Sequence, residues 1–186
     1  RLGKREPHIY GTTTLDEVIR RQFRTVEGDP FNPREIRASA ERIRALGYFS
    51  DAQVETRAES TPQQVIVDVN VEEQPTGTLS FGASYGADAG VGFNAALSEN
   101  NFLGRGQTVQ LGFSTASGSR SFDFNFVEPY FLGRDLRARF SAWYRTSDYY
   151  NARYNTRSIG LSSGIEFPIS DNGRLELRYR ISKDKL

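Results

Sequence analysis

From Thr78 onward the chain alternates apolar and polar residues with a period of two, and it keeps that period for over a hundred residues. One parity carries Leu79, Phe81, Ala83 and Tyr85, then Val91, Phe93, Ala95 and Leu97, then Val109, Leu111 and Phe113. It continues through Phe122, Phe124 and Phe126, then Leu136, Ala138, Phe140, Ala142 and Tyr144. Ile159, Leu161, Ile165 and Phe167 follow, and Leu175, Leu177, Tyr179 and Ile181 complete the set. The other parity begins with Ser80, Gly82, Ser84, Gly92, Asn94 and Ser98 and becomes charged at Asp123, Arg137, Arg139, Glu166, Glu176, Arg178 and Arg180. Side chains of a strand point alternately to opposite faces, so this is a strand pattern with one apolar face. It predicts about seven strands, each close to the 9–11 residues that cross a bilayer when tilted.

Two architectures share such a pattern: a transmembrane barrel, and a soluble sandwich or lipocalin-like barrel. The near-complete separation of charge from one parity suits the first, because a Lys or Arg facing lipid at the midplane costs roughly 2–4 kcal/mol. Aromatic residues also gather at expected strand ends (Phe102, Tyr130, Phe131, Tyr149, Tyr150, Tyr154), as an interfacial belt requires. The polar parity is rich in Gly and Ser, unlike a soluble surface dense in Lys and Glu.

Composition narrows the function classes. No run of about 18 apolar residues exists, which excludes a transmembrane helix and leaves a barrel open. A net charge of +1 gives no field that points to nucleic acid. The absence of Cys excludes disulfides, thiolate nucleophiles and Cys-based zinc sites, and it fits an oxidising compartment. With no Met, and Arg1 at its start, the sequence is expected to be a processed chain or an excised piece; no signal peptide is visible. His8 is the single histidine, so a Ser–His pair or a His-based metal site has no partner set. Glu72-Glu73 reads as a solvated strand end, and Gly104-Arg105-Gly106 lacks the Lys-Ser/Thr of a phosphate loop. The row of Arg137, Arg139 and Arg145 reads as a lining paired with acidic neighbours. The expectation is a non-enzyme with no cofactor and no metal.

The first part has a different period. Residues 1–75 form one module and residues 76–186 the strand-rich part, with the boundary at Gln74-Pro75-Thr76-Gly77. Leu15, Val18, Ile19 and Phe23 share one helical face, predicting a helix over 15–24, with Thr14 and Glu17 spaced as a capping box. Asn32, Pro33 and Glu35 mark a second start: a cap, a first-turn proline, and a carboxylate able to bond back. Ile36, Ala40 and Ile43 make that helix's stripe, with Leu46 at its edge and Gly47 as its left-handed stop. A strand through Tyr48, Phe49 and Val54 follows, then one from Val65 to Val71 with Val65, Val67, Val69 and Val71 on one side. A weaker strand at His8–Tyr10, after Pro7, gives the order βααββ.

These residues resemble a known family. Asp16 to Arg21, Glu27-Gly28-Asp29, Phe31-Asn32 and Leu46-Gly47-Tyr48-Phe49 are similar to the last polypeptide-transport-associated (POTRA) module of BamA-type outer-membrane assembly factors. Asn100-Asn101-Phe102-Leu103-Gly104-Arg105-Gly106-Gln107 resembles the turn after the second strand of that family's barrel. Glu128-Pro129-Tyr130-Phe131-Leu132-Gly133 resembles the turn after the fourth. Asn101, Gly104, Arg105, Gly106, Glu128, Pro129, Tyr130 and Gly133 are therefore expected in periplasmic turns.

The resemblance implies a POTRA module in the periplasm, followed by the opening strands of an antiparallel transmembrane β-barrel in the outer membrane. It implies insertion of other barrel proteins without ATP, with unfolded outer-membrane protein clients, accessory assembly lipoproteins and the lipid bilayer as partners, and no nucleic acid. Client strands would pair at the first barrel strand, Thr78, Leu79, Ser80, Phe81, Gly82, Ala83 and Ser84. The module's edge strand, Ala52, Gln53, Val54, Glu55 and Thr56, offers a second pairing site. Gly11-Thr12 departs from the family's Gly-Asn, and the family's several POTRA modules and Arg-Gly-Phe-type loop motif have no counterpart in these residues. A two-partner secretion or TamA-type pore of the same superfamily is the alternative, as is a soluble β-domain with a peptide-binding module.

Overall fold

The computed structural model describes residues 13–25, 28–58, 65–86, 90–149, 154–170 and 173–186. Contacts divide the chain into two units, Arg1–Thr76 with Leu103–Arg105, and Gly77–Phe102 with Gly106–Leu186.

The first unit contains α1 (Asp16–Arg20), α2 (Pro33–Ala45), β1 (Phe49–Ala58) and β2 (Val65–Glu73). β1 and β2 pair antiparallel, with Ala52 opposite Val71 and Val54 opposite Val69. Val18, Ile19, Ile43, Phe49, Ala52 and Val69 form its buried core, and Phe23, Leu46, Val67 and Val71 pack around it. Each Val, Ile, Leu or Phe side chain among them, when fully buried, contributes about 1.5–3 kcal/mol. The helical stripes and the valine alternation therefore fold together as their periods require. The strand expected at His8–Tyr10 lies outside the described residues.

The helix starts differ from expectation in an informative way. α1 is shorter than 15–24, and its N-cap is Leu15, which supplies no side-chain cap. Thr14 does not close a capping box with Glu17, because its hydroxyl donates instead to Glu73 at 2.5 Å. The amides of Thr13 and Thr14 also donate to Glu73, at 2.8 and 2.6 Å. Burial pushes the Glu73 carboxyl pKa up, but these hydrogen bonds together outweigh burial and hold it below its ordinary value. At the other end, Gln22 and Phe23 donate to the carbonyls of Ile19 and Arg20, three residues back, which tightens the chain out of the helix. In α2, Asn32 caps as expected, its side chain accepting from the Arg34 amide at 3.1 Å. Glu35 does not bond back and faces Arg42 at 3.7 Å. Gly47 takes φ +71° at the helix stop.

The second unit is one antiparallel meander of seven strands in chain order: β3 (Gly77–Gly86), β4 (Gly90–Phe102), β5 (Gln107–Ala116), β6 (Ser119–Glu128), β7 (Arg137–Tyr149), β8 (Tyr154–Ser170) and β9 (Gly173–Lys185). Among the described residues the sheet is open, with β3 and β9 as its outer strands. β4, β7, β8 and β9, of 13, 13, 17 and 13 residues, exceed the length a tilted strand needs to cross a bilayer. β7 runs on through Ser147 and Asp148 to Tyr149.

Candidate functional site

Register turns the sequence alternation into two faces. Leu79, Leu97, Leu111, Phe124, Ala142, Leu161 and Ile181 are successive cross-strand partners, so one unbroken apolar row crosses the whole sheet. Two residues along, Phe81, Ala95, Phe113, Phe122, Tyr144 and Ile159 form a second row, which ends at Lys183 on β9. These side chains have no apolar partner layer; Phe81 is 77% exposed and Leu79 60%. Among the described residues, Trp143 is the one buried hydrophobic side chain outside the first unit. A water-soluble sandwich would bury these rows in its core, and a membrane sheet presents them to lipid.

Charge is excluded from the middle of this face and not from its ends, which corrects the near-complete separation read from sequence. Glu99 and Glu128 share the apolar parity at the end where β3 begins, and Arg120, Arg157, Lys183 and Lys185 share it at the opposite end. The cost of a charge facing lipid falls toward zero near the interfaces, so end rows tolerate what the middle does not.

The opposite face is polar and cross-braced. Glu166, buried among cations, pairs with Arg137 at 3.1 Å, Arg139 at 2.8 Å and Arg174 at 2.7 Å. Arg145 pairs with Asp123 and Arg178 with Glu176. The arginine row thus has the acidic partners expected of a lining. Gln110, Asn125, Arg139, Ser141, Ser162 and Arg178 border a recess of about 330 Å³. Trp143, absent from the residues singled out by sequence, lies over Gly160 with the Arg180 guanidinium 4.3 Å from its ring. Its signal was available: a Trp on the polar parity whose cross-strand partner is Gly.

The first strand of this sheet, β3, pairs with β4 alone among the described residues. Leu79, Phe81 and Ala83 stand on the apolar face, and Thr78, Ser80, Gly82 and Ser84 on the polar one. Gly82 sits directly across from Asn94, whose amide oxygen would lie 2.4 Å from an added Cβ. In the first unit, Ala52, Gln53, Val54, Glu55 and Thr56 all lie in β1, which pairs with β2 alone among the described residues. Ala52 is fully buried and its carbonyl accepts from Arg44 at 3.1 Å, while Gln53, Glu55 and Thr56 are exposed.

The two signature turns reuse one device. Phe-Leu-Gly-Arg occurs at Phe102-Leu103-Gly104-Arg105 and again at Phe131-Leu132-Gly133-Arg134. In each, Leu and Gly both take positive φ, 55° and 71° in the first, 57° and 69° in the second. A non-glycine residue there costs about 1–2 kcal/mol, so the surrounding bonds must hold it. Asn101 accepts from the Gly106 amide at 2.8 Å. Glu128, before Pro129, accepts from the Tyr130 amide at 3.0 Å and from the Gln107 side chain at 2.5 Å, tying the second turn to the start of β5.

Comparison with known proteins places these features. Residues 6–74 match the family described as surface antigen variable number repeat (POTRA), and residues 101–186 match the Omp85 superfamily domain. The outer membrane protein assembly factor BamA of Neorickettsia risticii is 31% identical over 98% of this chain and 25% of its own length. The crystal structure of BamA from Haemophilus ducreyi lacking POTRA domains 1–3 superposes with a TM-score of 0.75 at 26% identity, over 92% of this chain and 33% of that one. CdiB from Acinetobacter baumannii superposes at 0.59 with 13% identity, over 95% of this chain and 37% of that one, a likeness of fold alone. The chain thus spans about a quarter of the length of the BamA relative.

Proposed function

Because this chain belongs to the Omp85 superfamily, with a POTRA module ahead of barrel strands of the BamA type, we propose that it works in the outer membrane to fold and insert other β-barrel proteins. The first unit lies in the periplasm, and β3 enters the bilayer from that side.

The observation that carries this reading is β3 itself: among the described residues it pairs with β4 alone, and both apolar rows reach it, at Leu79 and Phe81. Backbone N–H and C=O groups left unpaired in hydrocarbon cost several kcal/mol each. An incoming client strand that pairs with β3 removes that cost for both partners, and its own apolar parity joins the lipid-facing rows. The barrier to insertion falls with no covalent step, no nucleotide and no cofactor. β1 of the first unit offers backbone pairing to client segments still outside the membrane, with Gln53, Glu55 and Thr56 exposed along it. Accessory lipoproteins dock on that same periplasmic unit.

These 186 residues contain no Cys, so a cysteine placed among them is the sole thiol of the segment. Cysteines at Ser80 or Phe81 in the intact protein, and on the terminal strand of a client barrel, are expected to cross-link during insertion into vesicles. A cysteine at Ser121 in β6 serves as the control. Insertion that proceeds with no cross-link at β3, or with equal cross-linking at β6, contradicts the proposal.

A further inference from the structure

Register exposes a charge asymmetry on the apolar face. Above the Phe81 row, in the direction away from Gly77, the next row reads Ala83, Phe93, Thr115, Arg120, Thr146, Arg157 and Lys185. Lys183 sits one row below, directly across from Ile159. Arg120, Arg157, Lys183 and Lys185 are all exposed, and none has an ion pair or side-chain hydrogen bond among the described residues. On the polar face the opposite holds: Arg137, Arg139, Arg145, Arg174 and Arg178 each meet a carboxylate, and Arg180 meets Trp143.

Arg157 and Lys185 are moreover direct cross-strand partners. Like charges placed opposite one another destabilise a sheet unless an anion lies between them. The acidic residue nearest on this face is Asp148, one row farther out, across from Asn155. At the other end of the same face the ionic residues are Glu99 and Glu128, whose oxygens are engaged by turn amides.

We infer that the row Arg120, Arg157 and Lys185, with Lys183 beneath it, binds the phosphate groups of lipids in the external leaflet. The apolar rows below receive the acyl chains of the same lipid, and the Thr115 and Thr146 hydroxyls add donors within the cationic row. Arg120 to Lys185 spans three strand spacings, about 14 Å, so the row suits a headgroup carrying more than one phosphate. Arginine and lysine flanking a lipid surface attract such headgroups and lose that attraction when neutralised. The occupant is a lipid and not a free anion, because the cations stand directly above side chains that require hydrocarbon.

The test uses the intact protein in nanodiscs of phosphatidylcholine doped with a diphosphorylated glycolipid, and counts bound glycolipid by native mass spectrometry. The protein is expected to enrich the diphosphorylated lipid over phosphatidylcholine. The triple variant Arg120→Gln, Arg157→Gln, Lys185→Gln is expected to lose about tenfold or more of that enrichment, and the monophosphorylated lipid should fall between. Heat-modifiable migration in gels verifies that the variant is folded, and Arg157→Gln alone, expected to lose a smaller share, serves if it is not. Enrichment that survives in a folded variant overturns the inference. So does its abolition by millimolar inorganic phosphate, which would mark a free-anion site. Client insertion into pure phosphatidylcholine vesicles is expected to be unaltered in the same variants, so this test and that of the assembly role fail independently.

Discussion

The Thr14 hydroxyl donates to the Glu73 carboxylate at 2.5 Å, fastening the start of the first helix to the last residue of the strand that leads toward the membrane sheet. With the Thr13 and Thr14 amides, it makes one carboxylate the receptor for the two threonines that precede α1.

Glu73→Gln is expected to loosen that entry. Hydrogen bonds to a charged group are worth about 1.5–3 kcal/mol when removed; with Glu73 partly exposed, a loss near 1 kcal/mol is expected. Amide hydrogen exchange at residues 13–20 in the intact protein should accelerate severalfold. The sign with pH follows from a folded carboxyl held below its unfolded value. The contribution is complete above about pH 4.5, the unperturbed value, and is lost as pH falls through the lowered folded pKa. The difference between the native protein and the variant should therefore shrink in acid. A difference that grows in acid contradicts the arrangement.

Gly160→Val is expected to destabilise the sheet by about 1–3 kcal/mol. An added Cβ would stand 2.2 Å from the Trp143 ring, a rigid neighbour that must move. Trp143 is the single Trp, so its emission reports the event directly. A red shift with stronger acrylamide quenching is expected, and an unchanged spectrum in a folded variant denies the stacking.

Gly82→Val tests the edge strand. The new side chain meets the end of Asn94, which can rotate away, so the fold should persist. A stiffer β3 in the middle of the proposed pairing site is expected to slow client insertion severalfold. Insertion at the native rate by the folded variant removes Gly82 from the mechanism.

Leu111→Arg places a cation in the middle apolar row and is expected to cost about 2–4 kcal/mol of folding free energy in lipid vesicles. Gln110→Arg, one residue away on the polar face, should cost well under 1 kcal/mol by the same scale. Equal costs at the two positions contradict the assignment of faces.

Much of this was legible in the sequence because period two over ten residues leaves few alternatives. Leu79 through Tyr85 and Leu175 through Ile181 face as their parity dictates; of the signature residues, Gly104, Arg105, Gly106, Pro129, Tyr130 and Gly133 lie between strands, whereas Asn101 and Glu128, expected in turns, belong to the ends of β4 and β6. Asn32 caps because a cap needs only its neighbours. Thr14 was misread because its partner, Glu73, lies 59 residues away, and no local spacing records that contact. Arg120, Arg157 and Lys185 escaped notice for a similar reason. Each lies near the end of its own strand, and register alone brings them into one row. The Trp143–Gly160 contact is likewise a cross-strand fact.

The lipid exposure of the alternating rows is tested most directly by a cysteine scan along β5 in bilayers. Single cysteines at Thr108 through Ser114 of the intact protein would carry an environment-sensitive dye, with a quencher attached to lipid acyl chains. Quenching is expected at Val109, Leu111 and Phe113, strongest at Leu111, and weak at Thr108, Gln110, Gly112 and Ser114. Uniform quenching, or a pattern with the two sets exchanged, would contradict the account.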